Sequence, residues 1–258
     1  MRALVGLAVL VAASAHAQFA AHGISASDPS FTGWATGVNN LTRGPMNIAN
    51  PSLGLASYGS ASDALGAPGG WSDVVSLGDG GSITVTFDQP ITDGPGDDFA
   101  VFENGFATGG NVFAELGFVE VSSNGTDFFR FQSTSLTQTT TQLGAFASLD
   151  PTKVHNLAGQ FPELEGTPFD LSELSGVSSL LDVNAVRYVR VVDVVGSIDD
   201  AYATYDSFGH KINDPWSTPF ASGGFDLDAV GVIHAVPEPG SLTAVALGLT
   251  LILRRRKR

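Results

Sequence analysis

Between positions 82 and 87, Ile83, Val85 and Phe87 alternate with Ser82, Thr84 and Thr86, a period of two that predicts a half-buried β-strand. Apolar stretches at 99–103 and 115–122 predict two more, each bounded by Gly, Asn, Asp or Ser. The segment Ser122-Ser123-Asn124-Gly125-Thr126 separates Val119-Glu120-Val121 from Phe128-Phe129-Arg130-Phe131, and an Asn-Gly pair between two β runs predicts a hairpin. Residues 186–195 read as a central strand covered on both faces, and 227–233 as a further strand. Helical signals are few. Asp170 with Glu173 three positions on predicts a short helix through about Leu181. The Ser, Thr and Gln tract from Ser133 to Gln142 reads as a surface loop or an edge strand.

Short β runs punctuated by 31 glycines, with only 15% charged residues, predict an all-β fold, an antiparallel sandwich or barrel. The two ends read differently. Met1-Arg2, an apolar stretch from Ala3 to Ala13 and the small-x-small triplet Ala15-His16-Ala17 predict a signal peptide over 1–17, cut by signal peptidase before Gln18. At the other end Val236-Pro237-Glu238-Pro239-Gly240 leads into an apolar run and then Arg254-Arg255-Arg256-Lys257-Arg258. Residues 240–253 fall short of the roughly 20 that span a bilayer, and the basic cluster stays cytoplasmic by the positive-inside rule, which places the body outside.

The Pro-Glu-Pro triplet, the short transmembrane sorting helix and the terminal arginines together resemble the PEP-CTERM sorting signal of Gram-negative bacteria, here over 236–258. That resemblance implies processing by an exosortase-type transpeptidase that reads Pro237, Glu238, Pro239 and Arg254, Arg255 and Arg256. It also implies export across the inner membrane, transient anchoring by the C-terminus, and a final place on the cell surface or in the extracellular matrix. A plain anchor after a Pro-rich linker predicts the same compartment without cleavage. Between the two signals, residues 18–235 are expected to form a single β-sandwich domain.

Charge narrows the partners. Without residues 1–17 and 240–258, all 26 acidic residues remain with six of the 12 Lys and Arg, a net charge of −20. Such a surface disfavours nucleic acid and anionic lipid, which need clustered basic side chains. The absence of cysteine excludes disulfides and thiolate metal sites, leaving core packing or bound ions to stabilise an exported chain.

Three carboxylate clusters suit a hard cation such as Ca2+, which takes oxygen ligands from carboxylates, amides and carbonyls presented by Gly-rich loops. The first is Asp93, Asp97 and Asp98; the second is Asp206, Asn213 and Asp214; the third is Asp226 and Asp228. Strict alternation in the third places Phe225, Leu227 and Ala229 on one face and Asp226, Asp228 and Val230 on the other. The alternative is that these aspartates cap turns. Trp34, Trp71 and Trp216 lie in Gly-rich loops, where a ring can stack on a sugar face or can equally plug the core.

No zinc-protease or nucleophile-elbow motif is present, and the histidines of the body are scattered. Glu103, Glu115 and Glu120 are the candidates for a glycosidase carboxylate pair. Val119-Glu120-Val121-Ser122-Ser123-Asn124-Gly125-Thr126-Asp127-Phe128 with Val186-Arg187-Tyr188-Val189-Arg190-Val191 resembles the strand pair of discoidin-type, galactose-binding-like jelly rolls, which implies a sandwich of jelly-roll type. Residues 77–105, 167–174 and 213–231 resemble uncharacterised bacterial secreted cell-surface proteins, some of which are thought to capture nutrients such as corrinoids. The expectation is a non-catalytic binding or adhesion module for extracellular polysaccharide, stabilised by calcium. Capture of a small neutral nutrient, or a carbohydrate-active hydrolase, is the alternative.

Overall fold

A computed structural model describes Phe19 and residues 22–237. The signal-peptide residues Ala15 and Ala17, together with Glu238, Pro239 and Arg254 to Arg256, lie outside the described residues. Two antiparallel sheets face each other. In one, the strands run in the order Ile24–Ser25, Glu165–Phe169, Phe99–Glu103, Asp226–Val232 and Gly33–Trp34, with Val75–Ser76 sharing the last edge. In the other the order is Phe129–Arg130, Gly117–Ser122, Val186–Asp193, Ser82–Ile91 and Gly37–Thr42, and Leu157–Ala158 also pairs with Gly117–Ser122. Among the described residues the only helices are four single turns of 3-10 type.

One core fills the space between the sheets. Val101, Leu227 and Val230 from the first sheet meet Ile83, Val85, Val119, Val189 and Val191 from the second, and all are fully buried or nearly so. Each such side chain contributes about 1.5–3 kcal/mol relative to exposure. Phe99 stacks on Phe169 at 5.3 Å, and Phe131 packs edge-on against Phe99, closing one end of the sandwich. Further layers cover the outer faces. Ala100, Phe102 and Ala229 pack under Phe31 and Trp34, while Leu116 and Phe118 pack under Leu149, Val154 and Ile212.

The expected strands at 82–87 and 99–103 form, the first extending to Ile91, and the hairpin after Ser122 pairs Val121 with Phe129 and Glu120 with Arg130. Three expectations are corrected. The Val186–Asp193 strand is central but not covered on both faces, because Arg190 reaches outward to Glu120 and lies 3.8 Å from the Phe128 ring. The doubly covered strand is Asp226–Val232, buried at every residue. The helix from Asp170 shrinks to one turn, Leu171–Leu174: Asp170 caps it by accepting from the Ser172 N–H, and Gly176 then turns to a φ of 76° that ends it.

The third correction places the candidate site. A register shift between Leu227 and Ala229 makes Asp228 an extra residue in the last strand. Strict alternation therefore breaks there. Phe225, Leu227, Val230 and Val232 belong to the central core, whereas Ala229 belongs to the outer layer with Ala100 and Phe102. Asp226 and Asp228 stay off the core side, as alternation from Phe225 and Leu227 requires; the bulge changes the facing of Ala229 and Val230.

Candidate ligand-binding cleft and its acidic floor

Glu103 ends the Phe99–Glu103 strand, and its Cα partner across the ladder is Leu227, one residue from Asp226. Asp226 pairs on its other side with Ser76. Glu115 precedes the Gly117–Ser122 strand of the facing sheet. These carboxylates, 99%, 95% and 95% buried, gather at one end of the sandwich. Behind them lie Asp193 and Asp214, also buried.

The rear carboxylates serve as staples. Asp193 accepts from the Phe225 N–H at 2.6 Å and the Gly80 N–H at 2.8 Å, and Asp214 accepts from the Leu116 N–H at 2.8 Å. Gly224 holds the left-handed region with a φ of 72°, and a Cβ there would lie 2.8 Å from Asp193 Oδ1. Only glycine at this point lets the backbone pass between the carboxylates and donate its N–H to Glu115 Oε1 at 3.1 Å.

The front carboxylates are under-satisfied. Glu103 Oε2 accepts from the Gly105 N–H at 2.7 Å, and Asp226 Oδ2 accepts from Asn104 Nδ2 at 3.1 Å. Glu103 Oε1 and Asp226 Oδ1 are buried with no partner at full hydrogen-bond geometry, and the Ser76 hydroxyl beside Asp226 eases its burial only in part. Burial, reinforced by the charge of Asp226, holds Glu103 well above the usual carboxylate range, and burial with the charges of Asp226 and Glu103 does the same to Glu115. Burial lifts Asp226 and Asp228 to about 6 each.

Above this floor opens a cleft of about 510 Å³. Its walls are aromatic: Tyr58, Trp71, Phe106, Phe113, Phe146 and Phe220, with Glu115 and Asp226 below and Glu163 at the side. Trp71 is 73% exposed and Phe146 76%, yet the walls are braced. Asp228 accepts from the Gly69 and Gly70 N–H groups, and Asn104 donates to the Trp71 carbonyl at 2.9 Å, which fixes the loop that carries the indole. The Tyr58 hydroxyl donates to the Ser72 carbonyl, and Arg43 donates to the carbonyls of Tyr58, Gly59 and Ser76. Phe106 and Phe113 stack at 4.8 Å on the hairpin of Phe106–Thr108 and Asn111–Phe113, and Phe146 lies 5.8 Å from Phe220. Large exposed aromatic rings converging on one concavity mark a binding surface.

Among the residues expected to bind, Asp226 lines the floor, Asp228 holds the Trp71 loop and Trp71 forms a wall. Trp34 instead packs on Phe31 and Phe102, and Trp216 donates its indole N–H to Asp79 Oδ2 at 3.0 Å. Asp206 accepts from the Ser135, Phe208 and His210 N–H groups and so closes a tight turn. Asn213 pins the 138–143 loop through four hydrogen bonds, and Asp214 turns away to the Leu116 N–H. Glu120 sits in an ion-pair pair with Arg130 and Arg190, far from the role of a cleft acid.

Asp93 and Asp98 do come together, joined by Asp170, with a ligand oxygen of each within 4.8 Å of the others; no other such acidic or histidine trio exists among the described residues. Asp97 points elsewhere, to His22 at 3.0 Å. Both Asp98 oxygens are already engaged, by the N–H groups of Gly94 and Leu171 and by His234 Nδ1. Sequence reasoning set Glu103 beside Glu115 as a carboxylate pair, which the fold brings together, but it did not join Asp226 to them and gave no place in a cleft to the phenylalanines. The Gly109-Gly110 turn between Phe106 and Phe113 was the one local sign that these rings stand on an exposed hairpin. No protein-family model matches the chain, and no curated protein matches it.

Proposed function

We propose that this chain is an exported, exosortase-processed surface or matrix protein of jelly-roll type, acting as a non-catalytic module that binds extracellular polysaccharide. The observation that carries the reading is the braced aromatic cleft over a carboxylate floor. Flat rings stack on the apolar faces of pyranoses, and carboxylates accept from sugar hydroxyls. Binding of the purified protein to an oligosaccharide array, with Trp71→Ala as control, tests it. Saturable binding that Trp71→Ala weakens supports the module; an array without signal refutes it.

Calcium forms the second part of the proposal and belongs with Asp93, Asp98 and Asp170. Their oxygen-only chemistry suits a hard cation, and Asp98 Oδ2, which accepts only from the Leu171 N–H, retains a lone pair. An ion bound only to the folded state at a hundredfold excess over Kd would add about 2.7 kcal/mol of stability. Coincident melts in calcium and in EDTA would exclude it, and Asp93→Asn should shrink any difference.

A hydrolase reading has one observation in its favour: Glu115 and Asp226, both raised in pKa, share the cleft floor. It predicts release of reducing ends from a bound glycan, abolished by Glu115→Gln. A glycan that binds and remains intact supports the module instead.

A further inference from the structure

The cleft is lined by acids with no basic side chain to face them. Glu115, Glu163 and Asp226 line it, and no lysine, arginine or histidine does. Glu103, whose Oε1 is buried without a partner, is close enough to Asp226 to feel its charge. The nearby cation, Arg43, has its guanidinium committed to the carbonyls of Tyr58, Gly59 and Ser76. Its charge still acts on Asp226, but its donors do not face the cleft lining; a ligand cation brings both charge and donors there, whereas a sugar hydroxyl supplies one donor and no charge.

We propose that the cleft selects a glycan bearing a protonated amine, an amino sugar whose ammonium sits over Asp226 and Glu115 while its ring lies against Trp71. This rests on the glycan-binding reading and deepens it. An ammonium brings three donors and a positive charge, so it can meet the cleft-lining carboxylates Asp226, Glu115 and Glu163 together. The aromatic walls add attraction, because a cation near the faces of Trp, Tyr and Phe rings is held by their quadrupoles. Uronic acids and sulfated sugars are repelled by the same floor.

A bare divalent ion fits less well. Calcium draws its ligands to within a coordination sphere, whereas Glu103, Glu115 and Asp226 do not bring their oxygens within 4.8 Å of one another as Asp93, Asp98 and Asp170 do. An ammonium with a sugar ring attached bridges such separated acceptors, and the rings that crowd this cleft offer an inorganic ion nothing.

The test is isothermal titration calorimetry of the purified protein with three tetrasaccharides of one backbone: β-1,4-linked glucosamine, its fully N-acetylated form and cellotetraose. The amine form should bind at least about tenfold more tightly than either of the others at neutral pH, and the advantage should shrink as salt is raised. Asp226→Asn should bring the affinity for the amine form down to that for the other two. Glu163→Gln, at the side of the cleft, reduces it in part and serves should Asp226→Asn fail to fold. Equal affinity for all three oligosaccharides overturns the charge selectivity and leaves the glycan-binding reading intact; no binding by any of them overturns both. Saturable calcium binding that Asp226→Asn abolishes, with loss of the amine preference in calcium, also overturns it by assigning the floor to a metal ion.

Discussion

The Phe99–Glu103 strand has an aspartate, Asp98, just before its first residue and a glutamate, Glu103, as its last, and both are buried. Their surroundings differ in kind. Asp98 receives the N–H groups of Gly94 and Leu171 and the ring of His234, so every oxygen has a donor. Burial raises its pKa, and those donors pull it part of the way back. Glu103 has one backbone donor at 2.7 Å, an orphan oxygen and two like charges, Asp226 and Asp228, acting on it. One carboxylate fastens loops; the other is held where the fold gains nothing from it. A buried group that costs stability beside a cleft-lining carboxylate, Asp226, is a mark of a functional site more than of a scaffold.

The sharpest way to break this comparison is to remove each carboxylate. Asp98→Ala should destabilise by about 2–4 kcal/mol, since two backbone N–H groups and an imidazole lose their acceptor at once. Urea unfolding followed by far-UV circular dichroism measures it. A loss below the resolution of that measurement would mean that Asp98 is no staple.

Next comes pH. Asp226 titrates near 3.8 unfolded and about 6 folded, so the native state binds more protons between those values and stability falls as pH rises through that window. Below about 3.8 the penalty is absent, and above 6 it is complete, amounting to about 3 kcal/mol from this residue. Glu103 and Glu115, raised well above their usual range, extend the decline toward alkaline pH. Asp206 acts in the opposite sense: burial raises it, but the N–H groups of Ser135, His210 and Phe208 outweigh that and leave it lowered, so it matters only in acid. The urea midpoint should therefore be higher at pH 5 than at pH 8. A midpoint that climbs with pH would show these acids to be paired in the folded protein.

Glu103→Gln sharpens the same contrast with a smaller effect of opposite sign to Asp98→Ala. The amide keeps an oxygen for the Gly105 N–H and carries no charge, so the variant should gain on the order of 1–3 kcal/mol at pH 8 and almost nothing at pH 4. Destabilisation at both pH values would show Glu103 to be a fastener like Asp98.

How far the sequence foretells these two ends differs as well. Ile83 and Val85 alternate with polar neighbours because one face of their strand is buried, and period-two reasoning finds such strands. It fails at Asp228, since a bulge adds one residue and swaps the faces of Ala229 and Val230, and nothing local in Phe225-Asp226-Leu227-Asp228 announces it. Asp93 and Asp98 are close in sequence and were legible as a cluster; Asp170 joins them only through the pairing of Phe169 with Phe99. Glu103, Glu115 and Asp226 come from three separate segments, so their meeting is a property of strand order, which spacing does not encode. The phenylalanines of the cleft were hidden for a simpler reason. Apolar rings are expected inside, and only the fold shows which of them stand in solvent.

The smallest stability effect separates binding from scaffold. Trp71 is largely exposed, and what fixes its loop is backbone: its own carbonyl accepts from Asn104, and the N–H groups of Gly69 and Gly70 donate to Asp228. Trp71→Ala removes none of these bonds and should shift stability by less than about 0.5 kcal/mol, while stacking worth about 1 kcal/mol or more is lost from any sugar bound in the cleft. Asp228→Asn leaves the indole in place but weakens the grip on the two glycine N–H groups, so it should cost both a little stability and a little affinity. Thermal melts beside calorimetric titrations of both variants decide the matter. If Trp71→Ala melted early with affinity unchanged, the indole would be a structural plug, and the cleft would lose the wall on which its selectivity rests.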